Sequence, residues 1–219
     1  MEKIIVLNHK MNLLYDEVLE YIYKLNKIET KNNIIVCPSN IYLESFINYC
    51  DWGVGCQNVC DKESGDYTGE ISTLQLKSLG VEYTIIGDRE EDNNTINKKA
   101  IASLESNIIP IVCVKDKFDE EELINDVKEK LKDINSYEFV ILALLGNMED
   151  NLTDVEFKIQ TVKNMIKDIC GKDITIIYGG NINKENINKI LDIKEVDGVI
   201  LGSISSNFEE LKLLLDKAN

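Results

Sequence analysis

Gln57-Asn58-Val59, Glu63-Ser64-Gly65-Asp66-Tyr67-Thr68-Gly69-Glu70-Ile71-Ser72 and Gly80-Val81-Glu82-Tyr83-Thr84-Ile85-Ile86-Gly87-Asp88-Arg89-Glu90 form the most informative stretch of the chain. Tyr83–Gly87 reads as a short apolar strand that ends on glycine and runs directly into charge. Before it lies a long polar loop carrying Gly65 and Gly69.

Similar apolar runs recur on both sides. Strands are predicted over Lys3–Asn8, Asn33–Cys37, Trp52–Gln57, Tyr83–Gly87, Ile109–Val114, Glu138–Leu144, Asp173–Tyr178 and Gly198–Gly202. They are rich in Ile and Val and continuously apolar, as strands of a parallel sheet covered on both faces are. Amphipathic stretches lie between them. Tyr15–Lys27 aligns Val18, Ile22 and Leu25. Phe118–Asp133 aligns Leu123, Val127 and Leu131. Val155–Cys170 aligns Ile159, Val162, Met165, Ile166 and Ile169, and Phe208–Ala218 aligns Leu211, Leu214 and Leu215. Each is the apolar face of a surface helix. Eight strands alternating with eight helices predict an α/β fold, a (β/α)8 barrel filling residues 1–219 as one domain. A doubly wound open sheet alternates too, but no Gly-x-Gly-x-x-Gly follows the first strand. Polar and glycine residues follow nearly every strand instead: Asn8-His9-Lys10, Gly87-Asp88, Gly179-Gly180-Asn181 and Gly202-Ser203. A barrel gathers such loops at its carboxyl-end face, where active sites form.

Composition narrows the function. The chain has 219 residues, 44% of them hydrophobic, and a net charge of −15. So acidic a surface argues against nucleic acid or an anionic membrane as partner, and leaves any phosphate site to local groups. The amino terminus lacks a basic flank followed by a long apolar run, and no stretch nears the ~18 apolar residues of a membrane span. A cytoplasmic chain is expected. Six cysteines in apolar surroundings predict reduced thiols. Cys56 and Cys60 have no partners to complete a zinc site, so no metal and no cofactor are expected.

The 57–90 stretch strongly resembles the triosephosphate isomerase family. Further matches lie at 3–12, 109–114 and 174–203, with a weak one over 115–170. The resemblance implies the barrel fold and the family's glycolytic reaction, dihydroxyacetone phosphate to glyceraldehyde 3-phosphate. Asn8-His9-Lys10-Met11-Asn12 is similar to the family's Asn-Trp-Lys-Met-Asn. It makes Lys10 the cation facing the substrate and Asn8 its support. His9 replaces a non-catalytic Trp, which predicts a partly buried, hydrogen-bonded residue rather than a general base. Tyr178-Gly179-Gly180-Asn181-Ile182 and Val199-Ile200-Leu201-Gly202-Ser203 resemble the family's two phosphate loops. They imply phosphate binding at Gly179, Gly180, Asn181, Gly202 and Ser203, in the place such barrels often use. Glu90 matches a family Glu expected beside Lys10. The loop containing Thr68, Gly69 and Glu70 resembles the one the family inserts beside its partner's active site, implying a homodimer through residues 57–72. Cys113 matches a packing position.

The departures concern the chemistry. The family reaction uses a Glu base, a neutral His electrophile and a closing loop that excludes water. Asp88 stands where the family has its His. A carboxylate accepts hydrogen bonds and donates none, so it neither polarises a carbonyl nor stabilises an oxyanion. Ungapped alignment puts Ala143 at the Glu position, and the lid motif is unrecognisable in the corresponding region, Phe139–Asn151. Glu149 and Asp150 are the nearest substitute bases. The expectation is a homologue that keeps a site for a small phosphorylated metabolite, with isomerisation severely weakened or lost. Three alternatives stand beside it: a non-catalytic phospho-metabolite-binding or regulatory dimer, an isomerase for a different phosphorylated sugar, and a structural dimer with no ligand. In the second, Asp88 or Glu149 serves as base.

Overall fold

The computed structural model describes residues 2–117, 119–146 and 151–218. Eight parallel strands close in sequence order into a barrel. They are β1 (Ile4–Asn8), β2 (Asn33–Cys37), β3 (Gly53–Cys56), β4 (Tyr83–Ile86), β5 (Ile109–Lys115), β6 (Ile141–Leu145), β7 (Thr175–Gly179) and β8 (Gly198–Leu201). The seam pairs β1 with β8, Ile4 opposite Gly198 and Leu7 opposite Leu201. Helices follow the strands: α1 (Tyr15–Leu25), α2 (Leu43–Tyr49), α3 (Thr73–Leu79), α4 (Asn93–Glu105), α5 (Glu120–Lys130), α6 (Leu152–Cys170), α7 (Ile187–Leu191) and α8 (Phe208–Ala218). The chain is thus the single-domain (β/α)8 barrel expected from the alternation.

The unbroken apolar runs have a two-sided explanation. Val6, Ile35, Cys37, Ile85, Ile111, Cys113, Ile141, Ala143, Ile177 and Ile200 form one buried cluster inside the barrel. Their strand neighbours Ile5, Leu7, Ile34, Val36, Val112, Val114, Leu142, Leu144 and Ile176 join a second cluster with the inner faces of the helices. Alternate residues point to opposite faces of a strand, so both faces must be apolar. Each aliphatic side chain so buried contributes about 1.5–3 kcal/mol.

Glycine makes room in the barrel interior. A Cβ at Gly55 would lie 2.7 Å from Cys37 Sγ and 3.1 Å from Tyr83 Cβ, and one at Gly53 would lie 3.1 Å from the Tyr83 ring. β3 therefore gives up side chains so that Tyr83 fits. The helix ends follow local chemistry. Ser72 accepts from the Gln75 N–H while Gln75 caps Ser72 in return. Asp92, Asp119 and Asn151 cap α4, α5 and α6. These caps place α5 at Glu120–Lys130 and start α6 at Leu152. Strand six begins later than expected, because Tyr137–Phe139 forms a 3-10 turn whose Glu138 pairs outward with Lys172 at 2.8 Å. Among the described residues no helix is long and apolar enough to cross a membrane.

Candidate functional site

Parallel strands put every strand carboxyl end on one face, and there β1, β3 and β4 bring polar groups together. Asn8 is buried at the end of β1. Its Oδ1 accepts the Lys10 backbone N–H at 3.2 Å, holding Lys10 in the left-handed region at φ 52°. A non-glycine residue there is strained, and such strain gathers at functional sites. Gln57 Nε2 donates to the Lys10 carbonyl at 2.7 Å and to the Cys37 carbonyl at 3.0 Å. Gln57 was not among the expected site residues. Its signal was an amide at the end of an apolar strand.

Asp88 sits directly across from these groups. Gly87 turns the chain at φ 80°, where a Cβ would lie 2.9 Å from Ile96 Cδ1. That turn aims Asp88 at Lys10, with Nζ and Oδ2 3.3 Å apart, and at Asn8 Nδ2, 3.5 Å away. The pair is partly solvated and contributes at most ~1 kcal/mol to stability. Its importance is local, since the carboxylate offsets the charge of the mouth's ammonium. Glu90, expected beside Lys10, is elsewhere. Its side chain is 92% exposed and pairs with Lys115 at 3.4 Å. Two residues beyond the Gly87 turn, the chain already faces outward.

Among the phosphate-loop candidates, Gly179 ends β7 and is packed tightly. A Cβ there would meet Ile200 Cγ2 at 2.5 Å and Leu145 Cδ2 at 2.7 Å. Gly180 and Asn181 are exposed in a tight turn in which Ile182 N–H donates to the Gly180 carbonyl at 2.9 Å. Asn186 Nδ2 holds the Asn181 carbonyl at 2.8 Å. Gly202 faces the Lys10 stem: a Cβ there would lie 3.6 Å from Lys10 Cε. Ser203 is exposed and opens a short 3-10 turn. The structure thus brings Lys10, Asn8, Asp88 and Gly202 together and leaves Glu90 apart. Thr68, Gly69 and Glu70 are exposed, with Gly69 at φ 89° and Glu70 N–H donating to the Tyr67 carbonyl at 3.1 Å.

His9 is fully rather than partly buried, at 0% exposure. Its Nε2 lies 3.1 Å from the Tyr21 hydroxyl, and its ring packs edge-on against Tyr21 and Phe46. Burial lowers its pKa from 6.5 to about 3. The folded value lies below the unfolded one. The stabilising contribution is therefore complete above pH about 6.5 and is lost as pH falls toward about 3. Below pH 6, wild-type unfolding free energy is expected to fall about 1.4 kcal/mol per pH unit more steeply than that of His9→Phe. Urea unfolding at pH 7, 5.5 and 4.5 checks this, and equal slopes refute it.

The end of β6 carries no proton acceptor among the described residues. Ala143 is buried inside the barrel, one layer below the mouth. The strand runs on to Leu145, half-buried and leaning on Gly179, so the mouth position of β6 is an aliphatic residue rather than Ala143. Glu149 and Asp150 lie outside the described residues. Burial pushes the Cys113 thiol well above its ordinary pKa, which suits a packing role. No group of three or more His, Cys, Asp or Glu among the described residues is placed to hold a metal. Among the described residues the mouth therefore offers the Lys10 ammonium, the Asp88 carboxylate touching it, the amides of Asn8 and Gln57, and glycine backbone.

A model of the triosephosphate isomerase family matches residues 3–218. Proteins named triosephosphate isomerase are similar along nearly their whole length. One from Wigglesworthia glossinidia brevipalpis is 31% identical, covering 99% of this chain and 96% of the relative. One from Clostridium botulinum (strain Langeland) is 30% identical, covering 97% and 98%. One from Mycoplasmopsis pulmonis is 28% identical, covering 94% of each. The Clostridium alignment spans 244 positions, yet 97% of 219 residues is about 212, so about 32 positions have no residue here. By its fold and by a match running from Lys3 to Ala218, the chain belongs to the triosephosphate isomerase family.

Proposed function

We propose that this barrel keeps a site for a small phosphorylated metabolite and that its interconversion of dihydroxyacetone phosphate and glyceraldehyde 3-phosphate is severely weakened or lost. The relatives' shared name supports the substrate class. One observation carries the second half: Asp88 Oδ2 lies 3.3 Å from Lys10 Nζ. A carboxylate in that position accepts from the ammonium, donates to no oxyanion and opposes the charge that isomerisation develops. At the end of β6, Leu145 offers no base. Lys10 against Gly202, with Gly180 exposed nearby, supports retention of the anion site.

Calorimetry with inorganic phosphate tests the site. Binding in the millimolar range or tighter is expected. Lys10→Met should weaken it by about 10- to 100-fold, the range for losing a charged hydrogen bond. Asp88→Asn should tighten it by releasing the ammonium. Absence of binding at millimolar phosphate removes the proposal. Loss of a measurable isomerase activity in Asp88→Asn would instead favour Asp88 as the base for another sugar phosphate.

A homodimer is part of the same proposal. Met11, Ile41 and Tyr67 lie in the loops after β1, β2 and β3, and Tyr15 opens α1. Their exposures are 92%, 80%, 49% and 78%. Large apolar side chains gathered at the carboxyl end mark an interaction surface, and a second copy covers it. Sedimentation equilibrium at micromolar concentration checks this; a monomer there refutes it.

A further inference from the structure

We propose that Tyr21 is a positioning residue, which together with His9 ties the loop bearing Lys10 to the loop bearing Gly202. The inference rests on the ligand-site reading above. Between Lys10 and Leu13 the chain takes the left-handed conformation twice, at φ 52° and 69°, in residues that disfavour it. Something must hold that loop in place. His9 does so through its backbone: its carbonyl accepts from the Asn12 N–H at 3.2 Å and from Asn12 Nδ2 at 2.8 Å.

The His9 ring continues the connection. The Tyr21 hydroxyl donates to the Ser205 carbonyl at 2.5 Å. A phenol has one hydrogen to give, so at 3.1 Å it must accept from His9 Nε2. That assigns the Nε2–H tautomer and leaves Nδ1 bare. Nδ1 is buried with no hydrogen-bond partner among the described residues. Ser205 then returns to the site, its Oγ donating to the Gly202 carbonyl at 2.7 Å and its N–H donating there at 2.9 Å. Gly202 in turn lies against the Lys10 stem. The circuit from Lys10 through His9, Tyr21, Ser205 and Gly202 back to Lys10 is closed. His9, Tyr21 and Ser205 are 0%, 3% and 0% exposed.

An apolar residue at position 9 would fill the same space without an orphaned nitrogen, and an orphaned buried acceptor is unfavourable. What the histidine adds is a donor that holds Tyr21 in one orientation. The result is a set spacing between the first and eighth loops, between which a phosphate would lie. The connection is inside the fold, so water does not compete for its hydrogen bonds.

Tyr21→Phe deletes only the hydroxyl. Breaking its hydrogen bonds to Ser205 and His9 is expected to weaken inorganic phosphate binding about tenfold, the part of their strength that positioning passes on to the ligand. Ile166→Val, a buried change in α6 remote from both loops, should lower the melting temperature while leaving phosphate affinity intact. His9 is the chain's only histidine, so its 15N spectrum is unambiguous. The wild type should show the Nε2–H tautomer, and Tyr21→Phe should lose that bias. Wild-type phosphate affinity in Tyr21→Phe, or an Nδ1–H tautomer in the wild type, overturns the inference. If the wild type binds no phosphate, the ligand-site reading fails and amide exchange judges the tie. Residues 10–13 and 202–206 should then exchange faster together in Tyr21→Phe, and unchanged exchange overturns it.

Discussion

Purified from a host lacking its own isomerase, the protein is expected to interconvert dihydroxyacetone phosphate and glyceraldehyde 3-phosphate at least ~10⁴-fold more slowly than a typical enzyme turnover of about 10 s⁻¹. Moving a proton between adjacent carbons needs a group to take it and a donor to hold the enediolate oxygen. General base catalysis contributes about 10²–10⁴ in rate, and one preorganised oxyanion donor about 10²–10³. On the proposed reading Asp88 takes the place of the donor, and its polar contacts are Lys10 and Asn8, both of which donate to it. Leu145 is the outermost β6 side chain, and Ala143 beneath it is buried. The lower ends of the two ranges already multiply to the stated deficit. A gain of function makes the test two-sided. Asp88→His restores a donor, and Leu145→Glu places a carboxylate at the end of β6. The double variant should exceed the parent by at least ~10², with either single change giving less than the product, because base and donor act on one transition state. Ordinary enzyme turnover by the unmodified chain would sink the reading outright.

The barrel was legible because its cause is local. A strand covered on both faces must be apolar throughout, and eight such runs separated by amphipathic helices leave few arrangements. Ile111-Val112-Cys113-Val114 and Ile176-Ile177 announce themselves without any long-range information. Which acid meets Lys10 was not legible. Asp88 and Glu90 are both acids in one charged run, and the choice between them depends on Gly87 holding φ 80°, a backbone angle the residue permits but does not dictate. The place of Ala143 was hidden for a related reason: an ungapped alignment does not fix where a strand ends, and Ala143 and Leu145, two residues apart, face the same interior, so the pattern of faces does not tell them apart. His9 was legible as a hydrogen-bonded, non-catalytic residue but not in its partners. Tyr21 is 12 residues away and Ser205 another 184 beyond Tyr21, brought together by closure of the β1–β8 seam. Gln57 was not legible for the same reason, since its acceptors are the carbonyls of Lys10, in the loop after β1, and of Cys37, at the end of β2.

Gly198→Ala is expected to be the most destabilising alanine substitution at any glycine of the barrel, by about 3–5 kcal/mol. A Cβ at Gly198 would lie 2.0 Å from the Ile4 carbonyl oxygen, 2.7 Å from its carbon and 2.8 Å from its nitrogen. These are backbone atoms of the paired strand, so no side-chain rotation relieves the clash. The chains must separate where β1 and β8 close the barrel, loosening the register from Ile4–Gly198 to Leu7–Leu201. Neighbouring ties are lost with it: Ile4 N–H to the Asp197 carbonyl at 3.0 Å, and Asp197 Oδ2 accepting from the Ile176 N–H and Lys163 Nζ, both at 2.7 Å. Two other glycines calibrate the effect. At Gly55 the nearest obstacle is the Cys37 thiol at 2.7 Å, which can rotate, so about 1–3 kcal/mol is expected. At Gly171, which ends α6 at φ 69°, nothing lies within 4 Å, and only the left-handed conformation is penalised, by about 1 kcal/mol. For a chain of this size 1 kcal/mol moves the melting temperature about 2–4 °C, so Gly198→Ala should melt roughly 10 °C or more below wild type or fail to accumulate. The total stability of such a domain is only about 5–15 kcal/mol, which makes the second outcome realistic. Calorimetry of the three variants side by side decides it. The order Gly198, Gly55, Gly171 is expected, and a Gly198→Ala protein melting within 2 °C of wild type would show, on the same conversion, that the seam yields far more easily than its backbone contacts imply.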